Sequence, residues 1–142
     1  MKLVVTFLAL VACSFCEIRP AEASDCLQYE PAVTTLTGKL IRRTFPGPPN
    51  YENVSQGDKQ ETYWLIELAT PICVDESKQD PEIDTAKRNI SSVQLVLTGD
   101  DYKKYRSLMD KKVSATGTLM GEITGHHHTP VLLTVSNLKK LR

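Results

Sequence analysis

Five stretches between Val33 and Leu138 are either β-branched and threonine-rich or alternate apolar with polar residues. Alternation with period two places one set of side chains on a buried face, so a mostly β domain is expected. Val33 to Thr44 is the first stretch, with Gly38 at a bend or bulge. Thr62 to Leu68 is the second, with Trp64, Ile66 and Leu68 sharing one face, and Pro71 to Val74 ending it. Ser92 to Thr98 is the third and clearest, with Val93, Leu95 and Leu97 in phase. Lys112 to Glu122 and Val131 to Leu138 are the fourth and fifth.

One helix interrupts this series. Thr98-Gly99-Asp100-Asp101 has the form of a capping box, with acidic side chains against the positive end of the helix dipole. Tyr102, Tyr105 and Leu108 or Met109 recur at helical spacing on a core-facing stripe. The order β-β-β-α-β-β predicts a small five-stranded antiparallel barrel of the OB type, whose helix lies between strands three and four. Glycines in TGKL (Thr37 to Leu40) and TGTL (Thr116 to Leu119) allow the coiling that closes such a barrel. The alternative is another small antiparallel barrel or sandwich with one helix.

The connections differ in character. Phe45 to Gln60, FPGPPNYENVSQGDKQ, holds three prolines and two glycines in 16 residues and reads as a long loop. Asp75 to Asn89 is charged and reads as a second, solvated loop.

The N-terminus addresses the compartment. Lys2, an apolar run of 14 residues from Leu3 to Cys16, and Ala21-Glu22-Ala23 have the form of a secretory signal peptide over residues 1–23. The run is short for a span of about 20 residues, and no later run is long enough to span a bilayer. A competing reading is lipoprotein maturation at Cys13, since Leu10-Val11-Ala12-Cys13 has the form of a lipobox. The single domain is then residues 24–142, in the periplasm or secreted. Without Lys2, Arg19, Glu17 and Glu22 the 17 basic and 17 acidic residues become 15 of each. That balance argues against nucleic acid and against electrostatic docking on membranes. Cys26 and Cys73 remain as one even pair, and an oxidising compartment favours a disulfide between them. No C-x-x-C spacing points to a catalytic dithiol.

All three histidines stand together in TGHHHTPVLL, Thr124 to Leu133. In an extended segment His126 and His128 point one way and His127 the other. Two imidazoles at that spacing can chelate zinc or copper if further ligands arrive, from Glu122 or a carboxylate of the 45–60 or 75–89 loops. A structural or ligand-contacting role for the histidines competes with the metal reading, and acid-base catalysis is a third. Signatures of serine hydrolases, P-loops and H-E-x-x-H metalloproteases are absent from the sequence. In an OB barrel the loops after strands one and four flank the binding face. The Pro-rich loop and the histidine loop then meet at one rim, with His126, His127, His128, Tyr51, Pro48 and Pro49 as ligand-binding candidates. Tyr63 and Trp64 are further aromatics near that rim.

Several segments together resemble a known family: CLQYEPAVTTLTGKL, FPGPPNYE, ETYWLIEL, PICV, VQLVLT and TGHHHTPVLL. They are similar to a bacterial family of small exported proteins, domain of unknown function family 4431, over nearly the whole chain after the leader. The resemblance implies a bacterial, periplasmic protein and carries no activity, substrate or catalytic residue.

The expected function is therefore a monomeric, non-enzymatic module that binds an envelope ligand or protein. One alternative is a divalent-metal-binding protein using His126 and His128. Another is a secreted enzyme inhibitor.

Overall fold

The computed structural model describes residues 25–142. The signal peptide expected over residues 1–23, and Cys13 with it, lies outside the described residues. Five strands form one sheet: β1 (Val33–Pro46), β2 (Gln60–Val74), β3 (Lys87–Val96), β4 (Lys112–Gly121) and β5 (Val131–Lys140). They follow the order β1-β2-β3-β5-β4, and β4 pairs with β1 so that the sheet closes in a ring. Among the described residues a single short α-helix, α1 (Gly99–Tyr105), runs into a 3-10 turn over Arg106–Leu108 between β3 and β4. Among the described residues no helix is long and apolar enough to cross a membrane.

The ring is mixed, which corrects the antiparallel expectation. Gln94, Leu95 and Val96 pair in parallel with Leu132, Leu133 and Thr134. The reason is the crossover: α1 carries the chain past the β5 position, β4 enters at the ring's closing edge, and the β4–β5 hairpin returns β5 beside β3 in the same direction. β2 also runs on to Val74 instead of ending near Leu68. Its pairing with β1 stops at Gly38↔Leu68, and a register shift against β3 falls between Glu67 and Ile72. Pro71 stands in that irregular stretch, where no ladder donor is demanded of it.

Alternation sorts the core as the pattern predicts. Leu36, Leu40, Trp64, Ile66, Val93, Leu95, Val113, Ala115, Leu119, Val131, Leu133 and Leu138 all point into the ring. Tyr105 of α1 is buried among them, and Tyr102, Leu108 and Met109 pack against them. Trp64 meets Tyr102 edge-on, with ring centroids 5.1 Å apart. The helix start is tied by Asp101, whose Oδ2 accepts from Thr98 N (3.0 Å) and Thr98 Oγ1 (2.7 Å).

Cys26 and Cys73 form a disulfide, with Cα atoms 4.8 Å apart. The segment it pins runs along the end of β2: Leu27 N donates to Cys73 O at 2.8 Å and Asp75 N donates to Leu27 O at 2.9 Å. Tyr29 then enters the core and donates its hydroxyl to Thr85 O at 2.9 Å. Burial, reinforced by Asp84 and Glu122, pushes that phenol up to about 12.

Candidate functional site

The loop between β1 and β2 (residues 47–59) is built around one buried carboxylate. Asp58 Oδ1 accepts from Asn50 N at 2.9 Å, and Oδ2 accepts from Glu52 N and Asn53 N at 2.8 Å each. These backbone donors hold the Asp58 carboxyl below its ordinary value. Gly47 N donates to Lys59 O and Lys59 N to Pro48 O, closing the loop's neck at 2.7 and 2.9 Å. The wrapped chain forces Tyr51 to φ 60, a left-handed conformation rare for a bulky residue. That turn carries the Tyr51 side chain over to the neighbouring loop.

Removing the Asp58 charge should loosen this loop and spare the ring. We expect Asp58→Asn to lower amide protection at Asn50, Glu52 and Asn53, with the protection of β4 and β5 unchanged. Because the folded carboxyl titrates below its ordinary 3.8, the order it confers is complete above that pH and is lost as pH falls through the lower, folded value. Hydrogen exchange read amide by amide checks both statements.

The second loop, residues 122–130 between β4 and β5, is a turn rather than an extended segment. His127 N donates to Thr124 O at 3.0 Å and His126 N to Thr124 Oγ1 at 3.3 Å. Its histidines nevertheless divide as expected. His126 and His128 share a side facing Tyr63, while His127 turns back, its Nδ1 accepting from Ile123 N at 2.9 Å.

His126 is the joint between the two loops. Its Nδ1 lies 2.8 Å from Glu61 Oε2, and its Nε2 lies 3.3 Å from Tyr51 OH. A carboxylate only accepts, so the imidazole proton belongs on Nδ1, and Tyr51 donates to Nε2. Tyr63 donates to the same Glu61 oxygen at 2.8 Å. The His126 and Tyr63 bonds hold the Glu61 carboxyl below its ordinary range. Burial, with Glu61 adding to it, pushes the Tyr63 phenol up to about 12. The rings of Tyr51 and His126 meet edge-on, with centroids 5.4 Å apart. Gly125 lets them approach, since a Cβ there would press on the Tyr51 ring at 3.0 Å.

His128 lies flat on Phe45, centroids 4.1 Å apart and planes 2° from parallel, with Tyr63 5.1 Å away. Its Nε2 is buried and has no hydrogen-bond partner among the described residues. Burial holds both His127 and His128 below the ordinary histidine value. Gln94, on β3, fastens the loop: its Nε2 donates to His126 O at 2.9 Å and its Oε1 accepts from His128 N at 2.8 Å. The Gln94 backbone N donates to Thr129 Oγ1 at 2.9 Å, and Thr129 passes its own proton to Val131 O at 2.7 Å.

Of the expected ligand-binding residues, His126, His128 and Tyr51 are brought together. His127 faces away, and the half-buried Pro48 and exposed Pro49 shape the loop's neck, joined by a cis peptide bond. Trp64 belongs to the core, 8% exposed. The carboxylate beside the histidines is Glu61, the second residue of β2, rather than Glu122, whose Oε1 lies 3.7 Å from Lys87 Nζ. Among the described residues no three His, Cys, Asp or Glu side chains converge as a metal-holding group. Phe45, Glu61 and Gln94 are the members that sequence reasoning missed. Gln94 did leave a trace, as the outward-phase polar residue inside the apolar run VQLV.

No curated protein and no solved structure matches the chain. The family match falls on the stretch from β3 through β5, which includes α1, the histidine loop and Gln94. Residues 92–139 match the family model described as "Domain of unknown function (DUF4431)".

Proposed function

We propose that the protein is an exported, non-enzymatic binding module of OB-like build, acting as a monomer on an envelope ligand or protein. The observation that carries this reading is the Tyr51–His126–Glu61 joint. It brings the loop after β1 and the loop after β4 into contact beside the outer side of β2 and β3. In OB barrels those two loops and that strand face form the ligand platform. Strand order β1-β2-β3-β5-β4 with a helix between β3 and β4 supports the assignment. Tyr51 and Tyr63 supply aromatic surface of the kind that stacks on sugar or heterocycle rings, next to Phe45, whose face is taken by His128. Export rests on the apolar leader, and the Cys26–Cys73 disulfide is in keeping with an oxidising compartment.

Titrating soluble peptidoglycan fragments into isotope-labelled protein tests the reading. Amide shifts are expected at residues 45–63 and 122–132, with Tyr51→Ala weakening binding about tenfold, the scale of one lost aromatic contact. Shifts confined to the 77–83 loop, or turnover of the fragments, would contradict it.

A second reading is divalent-metal binding, favoured by His126 and His128 lying on one side with Glu61 beside them. Zinc or copper titration of the protein and of a His126→Ala/His128→Ala variant separates the two. Micromolar affinity lost in the variant supports metal binding, and equal affinity in both excludes these histidines as ligands.

A further inference from the structure

One cross-strand pair on the outer face of the ring sets like charges against each other. Leu36 and Leu40 of β1 point into the core, and so does Val113 of β4. Lys39 and Lys112 must therefore point outward, since side chains alternate along a strand. They stand directly opposite each other where β1 passes from its ladder with β2 to its ladder with β4. Side chains so placed have Cβ atoms about 5 Å apart, and like charges there destabilise a sheet.

The neighbouring carboxylates relieve this pair only weakly. Lys39 Nζ lies 4.0 Å from Asp110 Oδ1, with both side chains more than half exposed, a setting in which an ion pair contributes little. Glu67, opposite Lys39 on β2, is held by Arg43 Nη2 at 3.1 Å. Among the described residues no carboxylate pairs with Lys112.

Both lysines line a cleft of about 370 Å³. It opens where β1 and β2 part, beyond the Gly38↔Leu68 pair, and Leu68 and Ala69 give it an apolar wall. Leu141 lines it from the other side, following β5 with its N–H donated to Lys112 O at 2.9 Å. The volume lies at the small end of the range for small-molecule sites, about 300–1,000 Å³, which pair apolar lining with a few orienting polar groups. Here the orienting groups are two cations without sufficient counter-charge. Lysine reads a headgroup as a point charge, without the forked geometry of arginine.

We propose that this cleft binds a single-chain amphiphile with an anionic headgroup, the headgroup between Lys39 and Lys112 and the chain against Leu68 and Ala69. An anion placed there turns the repulsion between the lysines into two attractions. The cleft lies at the opposite end of the β1–β2 ladder from Phe45↔Glu61, so the proposal does not depend on the reading of the histidine rim.

Titrating octanoate into isotope-labelled protein tests the site. Amide shifts are expected at Lys39, Ala69, Lys112 and Leu141, with residues 122–130 unmoved. Acetate, which lacks the chain, and octanol, which lacks the charge, should each bind at least about tenfold more weakly. Lys112→Glu separates binding from folding. It gives Lys39 an opposite charge across the ladder, so its urea midpoint should rise. The same carboxylate repels the headgroup, so octanoate binding should weaken at least about tenfold. A more stable protein that no longer binds is a result that damage to the fold cannot imitate. Absence of octanoate binding overturns the proposal, as do shifts centred on residues 122–130. Equal binding of acetate or octanol also overturns it. So does a Lys112→Glu variant that binds octanoate undiminished, or one whose midpoint fails to rise.

Discussion

Cys73→Ser is expected to lower the melting temperature by about 15 °C. The disulfide joins residues 47 apart in sequence. In the chain-entropy account, a bond closing a loop of that size stabilises the fold by about 4 kcal/mol. A domain of this length shifts by roughly 4 °C per kcal/mol. Local structure adds to the effect. The Cys26 end holds Leu27 against Val74 and leads Tyr29 into the core. Without the bond, this segment still has the Leu27 backbone bonds, the Gln28–Asp75 and Glu30–Leu119 hydrogen bonds, and the buried Tyr29 with its hydroxyl bond to Thr85. Calorimetry on oxidised, reduced and Cys26→Ala/Cys73→Ala protein checks the expectation. A shift of only about 3 °C would mean that Tyr29 and the Leu27 bridge suffice without the covalent bond.

Gly117→Ala is the second large effect, expected to destabilise by about 3 kcal/mol, the upper range for overpacking. Gly117 sits at the register shift where β4 turns against β5. A Cβ there would overlap the carbonyl oxygen of Thr134 and crowd Val135 Cα at 3.2 Å. The obstacles are backbone, so no rotamer change relieves them, and the β4–β5 ladder must open. Gly38→Ala meets the same difficulty, since a Cβ at Gly38 overlaps Glu67 O where β1 bends across β2. Gly99 is the control. It begins α1 with open space around it, so Gly99→Ala should be neutral or stabilise by up to about 1 kcal/mol. Urea denaturation of the three variants ranks them. Equal midpoints for Gly99→Ala and Gly117→Ala would refute the packing argument.

These glycines also show how much of the architecture is legible in the sequence. The repeated T-G-x-L segments mark the two places where neighbouring strands come too close for any side chain, as the tightly coiled ring requires. Leu138 enters the core out of phase, past the β4–β5 register shift, but the inward residues Trp64 and Ile66, Val93 and Leu95, and Val131 and Leu133 follow from the sequence. So do the helix with its Thr98–Asp101 cap and the two cysteines left to pair. Alternation could not reveal the parallel pairing of β3 with β5, because it says which face of a strand is apolar and not which strand lies beside it.

The candidate site divides along the same line. The histidine triplet, Tyr51 and the proline-rich loop are conspicuous in the chain by composition. Glu61, Phe45 and Gln94 are ordinary residues by composition, and they join the site only through distant contacts, Glu61 and Gln94 to His126 from 65 and 32 residues away and Phe45 to His128. Most of the side chains that enter the core are set locally, because period-two alternation is a property of an extended strand. That Leu65 and Leu132, pointing outward, are nevertheless buried is a property of the assembled fold. Covering an outer face depends on a distant segment folding back onto it, and no local periodicity encodes that.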